Sequence, residues 1–159
     1  MNQRASWQKL NPAAFQGLMA LERLLTESTL ETSLKDMVKI RASQLNGCLL
    51  CLDMHSKEAK IHGERELRIY HLPVWRESTL FSERERAALE FTELLTRPGP
   101  HGVEDSFYEK LQAHFSEKEI VDLSLSIAAI NAYNRLGVAF RTPAGAYDKM
   151  MGLDKAGLS

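Results

Sequence analysis

Two cysteines are all that this 159-residue chain contains, and they stand two residues apart in Ser43–Lys57, "SQLNGCLLCLDMHSK", with a histidine four positions after the second. The thiolate is the reactive form of cysteine, so the first question is what would stabilise one here. Asn46-Gly47 reads as a helix stop, which puts Cys48 in the first turn of the next helix. Unpaired backbone N–H groups and the helix dipole favour negative charge at that place. Cysteines in such settings can have pKa values of about 3.5–7.5, against about 8.5 for a free thiol. On a helix Cys48 and Cys51 are i and i+3, Cys51 and His55 are i and i+4, and all three project from roughly one face. That spacing suits a reversible disulfide with a nearby base: His55 is placed to deprotonate Cys51, directly or through a water, and to return the proton to a leaving group. The dipole alone would make Cys48 the more acidic thiol, whereas a specific base favours Cys51, and the reading adopted follows Cys51.

Other uses of the same residues were weighed. A CxxC pair is half of a zinc site, and His55 would add a third ligand, but no second CxxC or suitably spaced His pair completes it. A site shared between subunits or a structural cysteine pair beside a solvated histidine would also fit the three residues.

The elements that must position these side chains are helical nearly throughout. Asn11 is a candidate N-cap with Pro12 at the first helical position, followed by Phe15, Leu18, Met19, Leu21, Leu24 and Leu25 at helical spacing. A second helix fits Glu31 to Leu45, and the motif helix runs from near Cys48 to about His62, closing at Gly63. A short helix over Glu64–Tyr70 leads into "HLPVWRES". Capping boxes at Ser82/Glu85 and Ser116/Glu119 open two more helices, with a shorter one at about Glu104–His114 between them. The second box starts the most apolar segment, Ile120–Phe140, which Asp122, Asn131, Asn134 and Arg135 interrupt too often for a membrane span, so it is expected in the core or between subunits. No alternating β-branched runs compete. The fold class expected is all-α, one domain over 1–159 with its motif core at about 31–97 and a loose tail over 145–159.

The chain is 44% hydrophobic and 26% charged with formal net charge -1, a balance that favours neither nucleic acid nor an acidic membrane surface. No leader-like apolar run opens it and no stretch approaches the roughly 18 apolar residues of a membrane span, so a cytoplasmic location is expected. His62, His71, His101 and His114 are scattered singly and read as surface or capping residues. Trp75 reads as a buried indole anchoring a loop, and Glu83–Arg86 as helix-start capping and a solvated face. Tyr133, Asn131 and Asn134 are candidates to satisfy buried hydrogen bonds near the thiols.

"DMVKIRASQLNGCLLCLDMHSKEAK" resembles the core of the AhpD-like alkylhydroperoxidase family within the carboxymuconolactone decarboxylase superfamily: an acidic residue, a CxxC beginning twelve positions later, then a histidine four residues on. "WRESTLFSERERAALEFTELLT" resembles the segment that follows in many members. The resemblance implies an all-helical AhpD-like domain acting as a thiol-dependent hydroperoxide reductase. Carried to the matching positions, Cys51 is peroxidatic, Cys48 resolves the sulfenic acid to a disulfide, and Asp36 and His55 form a proton relay. The family's usual glutamate is an aspartate at position 36, and Leu50 stands where some members carry a histidine. The resemblance further implies homo-oligomers (dimer, trimer or hexamer), a small hydroperoxide substrate, a dithiol reductant of protein or lipoyl type, and no metal, flavin or haem. A decarboxylase of the same superfamily using His55 as acid or base, and a non-enzymatic redox sensor, are the rival expectations.

Overall fold

The computed structural model describes residues 2–158. Nine α-helices and no strand occur among them. They are α1 (Trp7–Leu10), α2 (Pro12–Thr26), α3 (Thr32–Asn46), α4 (Leu49–Ile61), α5 (Glu66–His71), α6 (Glu83–Thr96), α7 (Asp105–Gln112), α8 (Glu117–Phe140) and α9 (Asp148–Met151). Single 3-10 turns at Leu72–Val74 and Leu153–Ala156 follow α5 and α9.

The helix starts follow the local chemistry of the sequence. The Asn11 side chain accepts the Ala14 N–H at 3.2 Å with Pro12 behind it, and Ser82 and Ser116 each form a complete capping box with Glu85 and Glu119. Each cap satisfies an N–H that the helix cannot bond itself and is worth about 1 kcal/mol. The all-α class read from periodicity is what the chain adopts.

α3 is the centre of the molecule, packed against α4, α6 and α8. Leu34, Met37, Val38, Ile40 and Ala42 are all fully or almost fully buried, on more than one side of the helix, as a core helix requires. Leu34 and Val38 join Ala87, Ala88, Phe91, Leu123 and Ile127 from α6 and α8. Met37 and Ile40 instead join Ala59, Leu72, Trp75 and Phe81 on the other side. Burying each such side chain contributes roughly 1.5–3 kcal/mol, so two cores clamp α3 and fix the helix that leads into the CxxC turn.

That turn depends on Gly47, whose left-handed φ of 64° reverses the chain at the end of α3. The Cys48 N–H then reaches back to the Ser43 carbonyl at 3.0 Å, closing the α3 carbonyls. Asn46 reinforces it by donating to the side-chain oxygens of Asn131 and Asn134 on α8, both at 2.9 Å. Asn134 in turn donates to Ser43 Oγ at 3.0 Å.

Two expectations need correction, and α1 adds an element beyond them. The stretch after α8 is not loose: Leu153 and Ala156 are buried, and the Leu153–Ala156 turn packs on α4. Leu153 supplies the apolar contact and Lys57 a polar one, bonding Asp148 at 2.7 Å and Asp53 at 2.9 Å. Glu83–Arg86 is more than a solvated face, because Arg84 pairs with Glu31 and Glu119, bonds the His114 carbonyl and stacks 4.0 Å over Phe115. Finally, α1 was not anticipated, since four residues with no side-chain cap leave little periodic signal. Among the described residues no helix is long and apolar enough to cross a membrane.

Candidate active site

Cys48 is the N-cap of α4 and Cys51 lies one turn on. Both thiols are free and buried, at 1% and 4% exposure. Their environments differ. The Cys48 sulfur accepts the S–H of Cys51, and despite burial it is further stabilised by the backbone N–H groups of Cys51 and Leu50 and by the Asn134 side chain, which together lower its pKa to about 7. Cys51 is pushed up because its S–H is donated to Cys48, because it is buried and because the neighbouring sulfur carries the charge. Of the two, Cys48 is therefore the more acidic thiol, as the helix-start argument has it. Asn134, fully buried on α8, hydrogen-bonds toward both sulfurs and favours their charged forms.

Accessibility runs the other way. A cavity of about 410 Å³ is lined by Cys51, His55 and Glu58 of α4, by Leu50 and Met54, by Tyr133 and Gly137 of α8, and by Trp7, Met19 and Tyr147. Cys48 does not reach it. Cys51 is thus the sulfur that a molecule in the cavity meets, with Cys48 directly behind. Room for both is made by Gly137: a Cβ there would lie 2.8 Å from the Cys48 sulfur and 3.9 Å from that of Cys51.

His55 is held differently from the expected relay. Its Nδ1 lies 2.5 Å from Glu58 Oε2, three residues on along the same helix. Burial alone would raise the Glu58 carboxyl, but the hydrogen bond with His55 and the charges of His55, Lys39 and His62 outweigh it and leave the pKa lowered. Glu58 is thereby kept as an acceptor, which assigns the proton of this bond to Nδ1 and leaves Nε2 as the ring atom free to exchange protons. Asp36 makes its hydrogen bond elsewhere, with Nδ1 of His62 at 2.7 Å. Burial raises the Asp36 carboxyl above its ordinary value, with the His62 contact opposing. Asp36 feels the charge of both His55 and Glu58 but bonds neither. Two His–carboxylate pairs therefore stand side by side, and the one that touches the cavity is His55–Glu58.

His62 is accordingly at a capping position, as expected, but with a buried partner. Glu58 was missed, although its i+3 spacing from His55 was readable as a hydrogen-bonding distance on one helix face. The Trp75 reading holds: its Nε1 donates to Glu93 at 2.8 Å and Arg76 stacks over it, away from the thiols. Tyr133 is in the cavity wall, yet its hydroxyl is buried with no partner, contrary to the role of satisfying a hydrogen bond there. Among the described residues no group of three or more His, Cys, Asp or Glu side chains converges in a way that could hold a metal ion.

This arrangement has known relatives. The profile of the carboxymuconolactone decarboxylase family matches residues 12–94, which span α2 through most of α6 and include both thiols, His55, Glu58 and Asp36. The chain belongs to the carboxymuconolactone decarboxylase family. Within that family it is 38% identical over 139 residues to the uncharacterized protein YdfG of Bacillus subtilis, covering 87% of this chain and 95% of YdfG. The crystal structure of Agrobacterium tumefaciens ATU0492, a protein of unknown function whose name proposes the antioxidant defence protein AhpD, superposes with a TM-score of 0.87 at 41% identity, over 91% of this chain and 99% of that one. An AhpD-core, peroxidase-related protein from Ralstonia eutropha shares the fold at 21% identity and a TM-score of 0.78, over 87% and 74% of the two chains. The AhpD-like branch of the carboxymuconolactone decarboxylase family is therefore where this chain falls, as the CxxC stretch implied.

Proposed function

We propose that this AhpD-like protein is a thiol-dependent hydroperoxide reductase in which Cys51 attacks the peroxide and Cys48 resolves the product. The observation that carries the reading is the division between the two sulfurs: one faces the cavity beside a carboxylate-held histidine, and the other, in contact behind it, is the more acidic thiol. In the reduced pair the Cys51 proton bridges to Cys48. For attack that proton moves to Nε2 of His55 or onto Cys48. The Cys51 thiolate then takes the terminal oxygen of R–O–OH, the O–O bond breaks, Cys51 becomes a sulfenic acid and the leaving RO⁻ receives the displaced proton as ROH. The Cys48 thiolate attacks the sulfenic sulfur, the S–S bond forms and the hydroxyl leaves as hydroxide, which takes a proton from solvent to become water. One peroxide has been reduced by two electrons and the dithiol oxidised by two. A dithiol reductant, of protein or lipoyl type, must return the pair to its starting state. His55 and Glu58 act here as base and orienting partner.

The test is single-turnover reaction of the reduced protein with an organic hydroperoxide, following thiols and peroxide together in the wild type, Cys51→Ser and Cys48→Ser. Loss of both thiols per peroxide, an inert Cys51→Ser and a trapped sulfenic acid in Cys48→Ser are expected. Thiols that stay reduced would sink the reading. A decarboxylation that survives loss of both cysteines would point to the thiol-independent chemistry of the wider family instead.

A further inference from the structure

Tyr133 is a polar residue of the cavity that this reaction has not used. It packs against the cluster formed by Ala42, Cys48, Leu50, Cys51 and Ile130. It stands at i relative to Gly137 at i+4, so the two share the face of α8 that meets the sulfurs. Its ring lines the wall with Cys51 and His55. Its hydroxyl is buried and has no hydrogen-bond partner. A buried hydroxyl without a partner is unfavourable, and the other phenol of the wall, Tyr147, differs in already accepting a hydrogen bond from Gln8.

We propose that Tyr133 is a catalytic residue of the peroxide step, its O–H donating a hydrogen bond to the leaving oxygen of a hydroperoxide as Cys51 attacks. The inference rests on the hydroperoxide reading of the site. Charge develops on RO⁻ while the O–O bond breaks, and the fixed donors beside it decide how well that charge is held. The electron count of the step is unchanged: Tyr133 supplies a hydrogen bond, and the proton that completes ROH is the one taken from Cys51. Burial, together with the charges of Glu22 and Cys51, pushes the phenol up to about 12, so it stays a donor across the working range.

The dependence on leaving group separates this role from a packing role. An alkyl hydroperoxide expels a strongly basic alkoxide that needs the donor, whereas a peracid expels a weakly basic carboxylate that does not. Oxidation of the reduced protein by cumene hydroperoxide and by a perbenzoic acid is timed by stopped flow for wild type and Tyr133→Phe, with thermal unfolding of both. Tyr133→Phe should lose ~10–100-fold with the hydroperoxide, change by only a small factor with the peracid, and unfold no earlier than wild type, since an unpartnered hydroxyl has been removed. Equal rates with the hydroperoxide, or equal losses with both oxidants together with a lowered midpoint, would overturn the role while leaving the peroxidase reading standing. A wild-type protein oxidised by neither reagent would overturn both.

Discussion

Glu58 Oε2 lies 2.5 Å from Nδ1 of His55, one turn further along the helix that carries both thiols. This pairing, rather than one with Asp36, orients the imidazole at the cavity. Outer partners of a working histidine typically matter by 10–100-fold, so Glu58→Gln should slow sulfenic acid formation by about that much. Asp36→Asn should leave it within a small factor, because that carboxylate is engaged with His62. Parallel single-turnover rates for the two variants decide between the pairs. A larger loss in Asp36→Asn would restore the relay first inferred from the resemblance.

Ionisation of Cys48 should be visible directly. The thiolate absorbance of the reduced protein should rise through pH of about 7, well below the ordinary 9.0. It should vanish in Cys48→Ser and shift upward in Cys51→Ser, which loses the S–H donor. The same depressed pKa links to stability with a definite sign. A thiol more acidic in the folded state contributes stability that is full above 9.0 and lost as pH falls through about 7. Denaturant midpoints of the reduced protein should therefore climb between those limits. The raised Cys51 thiol opposes this only above its own ordinary 9.0.

Gly137→Ala tests the room behind the sulfurs. The new Cβ would stand 2.8 Å from the Cys48 sulfur, inside any real contact distance. Overpacking of this kind usually costs about 1–3 kcal/mol. Beyond that cost, a displaced Cys48 should resolve slowly, so sulfenic acid should accumulate on Cys51 in the variant where the wild type passes straight to the disulfide. Trapping with a dimedone-type reagent and mass spectrometry reads the difference.

Asp148→Asn weakens the tie between α9 and α4. Lys57, whose side chain is only 7% exposed, would keep Asp53 but lose its 2.7 Å partner on the far segment. Breaking one partner of a buried ion pair can cost about 3–5 kcal/mol, less here because Asp53 remains. Amide exchange over 147–156 should accelerate, and alkylation of Cys51 by a bulky maleimide should quicken relative to a small one. Unchanged exchange in that segment would mean that Leu153 and Ala156 hold it without help.

Much of the fold was legible because its signals are local. Asn11 with Pro12, the two Ser–Glu boxes and Asn46-Gly47 each act within four residues, and every one marks a helix end in the structure. The thiol pair and His55 were legible for the same reason, being one helix face. What was not legible is what the tertiary fold brings together. Asp36 and His62 are separated by 26 residues and meet only because α4 returns alongside α3. Asn134 reaches the sulfurs across 83 or more positions of chain, through the Asn46 network. Glu58 is the instructive case: its i+3 spacing from His55 is local, but the resemblance points instead to the acidic residue twelve positions before the CxxC, Asp36.

Much of the cavity wall is built from stretches outside the thiol helix: Trp7 and Gln8 before α2, and Tyr147, Met150 and Met151 after α8. Cys48, Cys51 and His55 all sit on or at the head of α4. Selection can therefore resize or repolarise the cavity by changing residues outside the thiol helix. Relatives built on this plan could diverge in what they admit while keeping the same sulfur chemistry, and a fusion or tag placed against either flanking stretch would alter admission before it altered turnover.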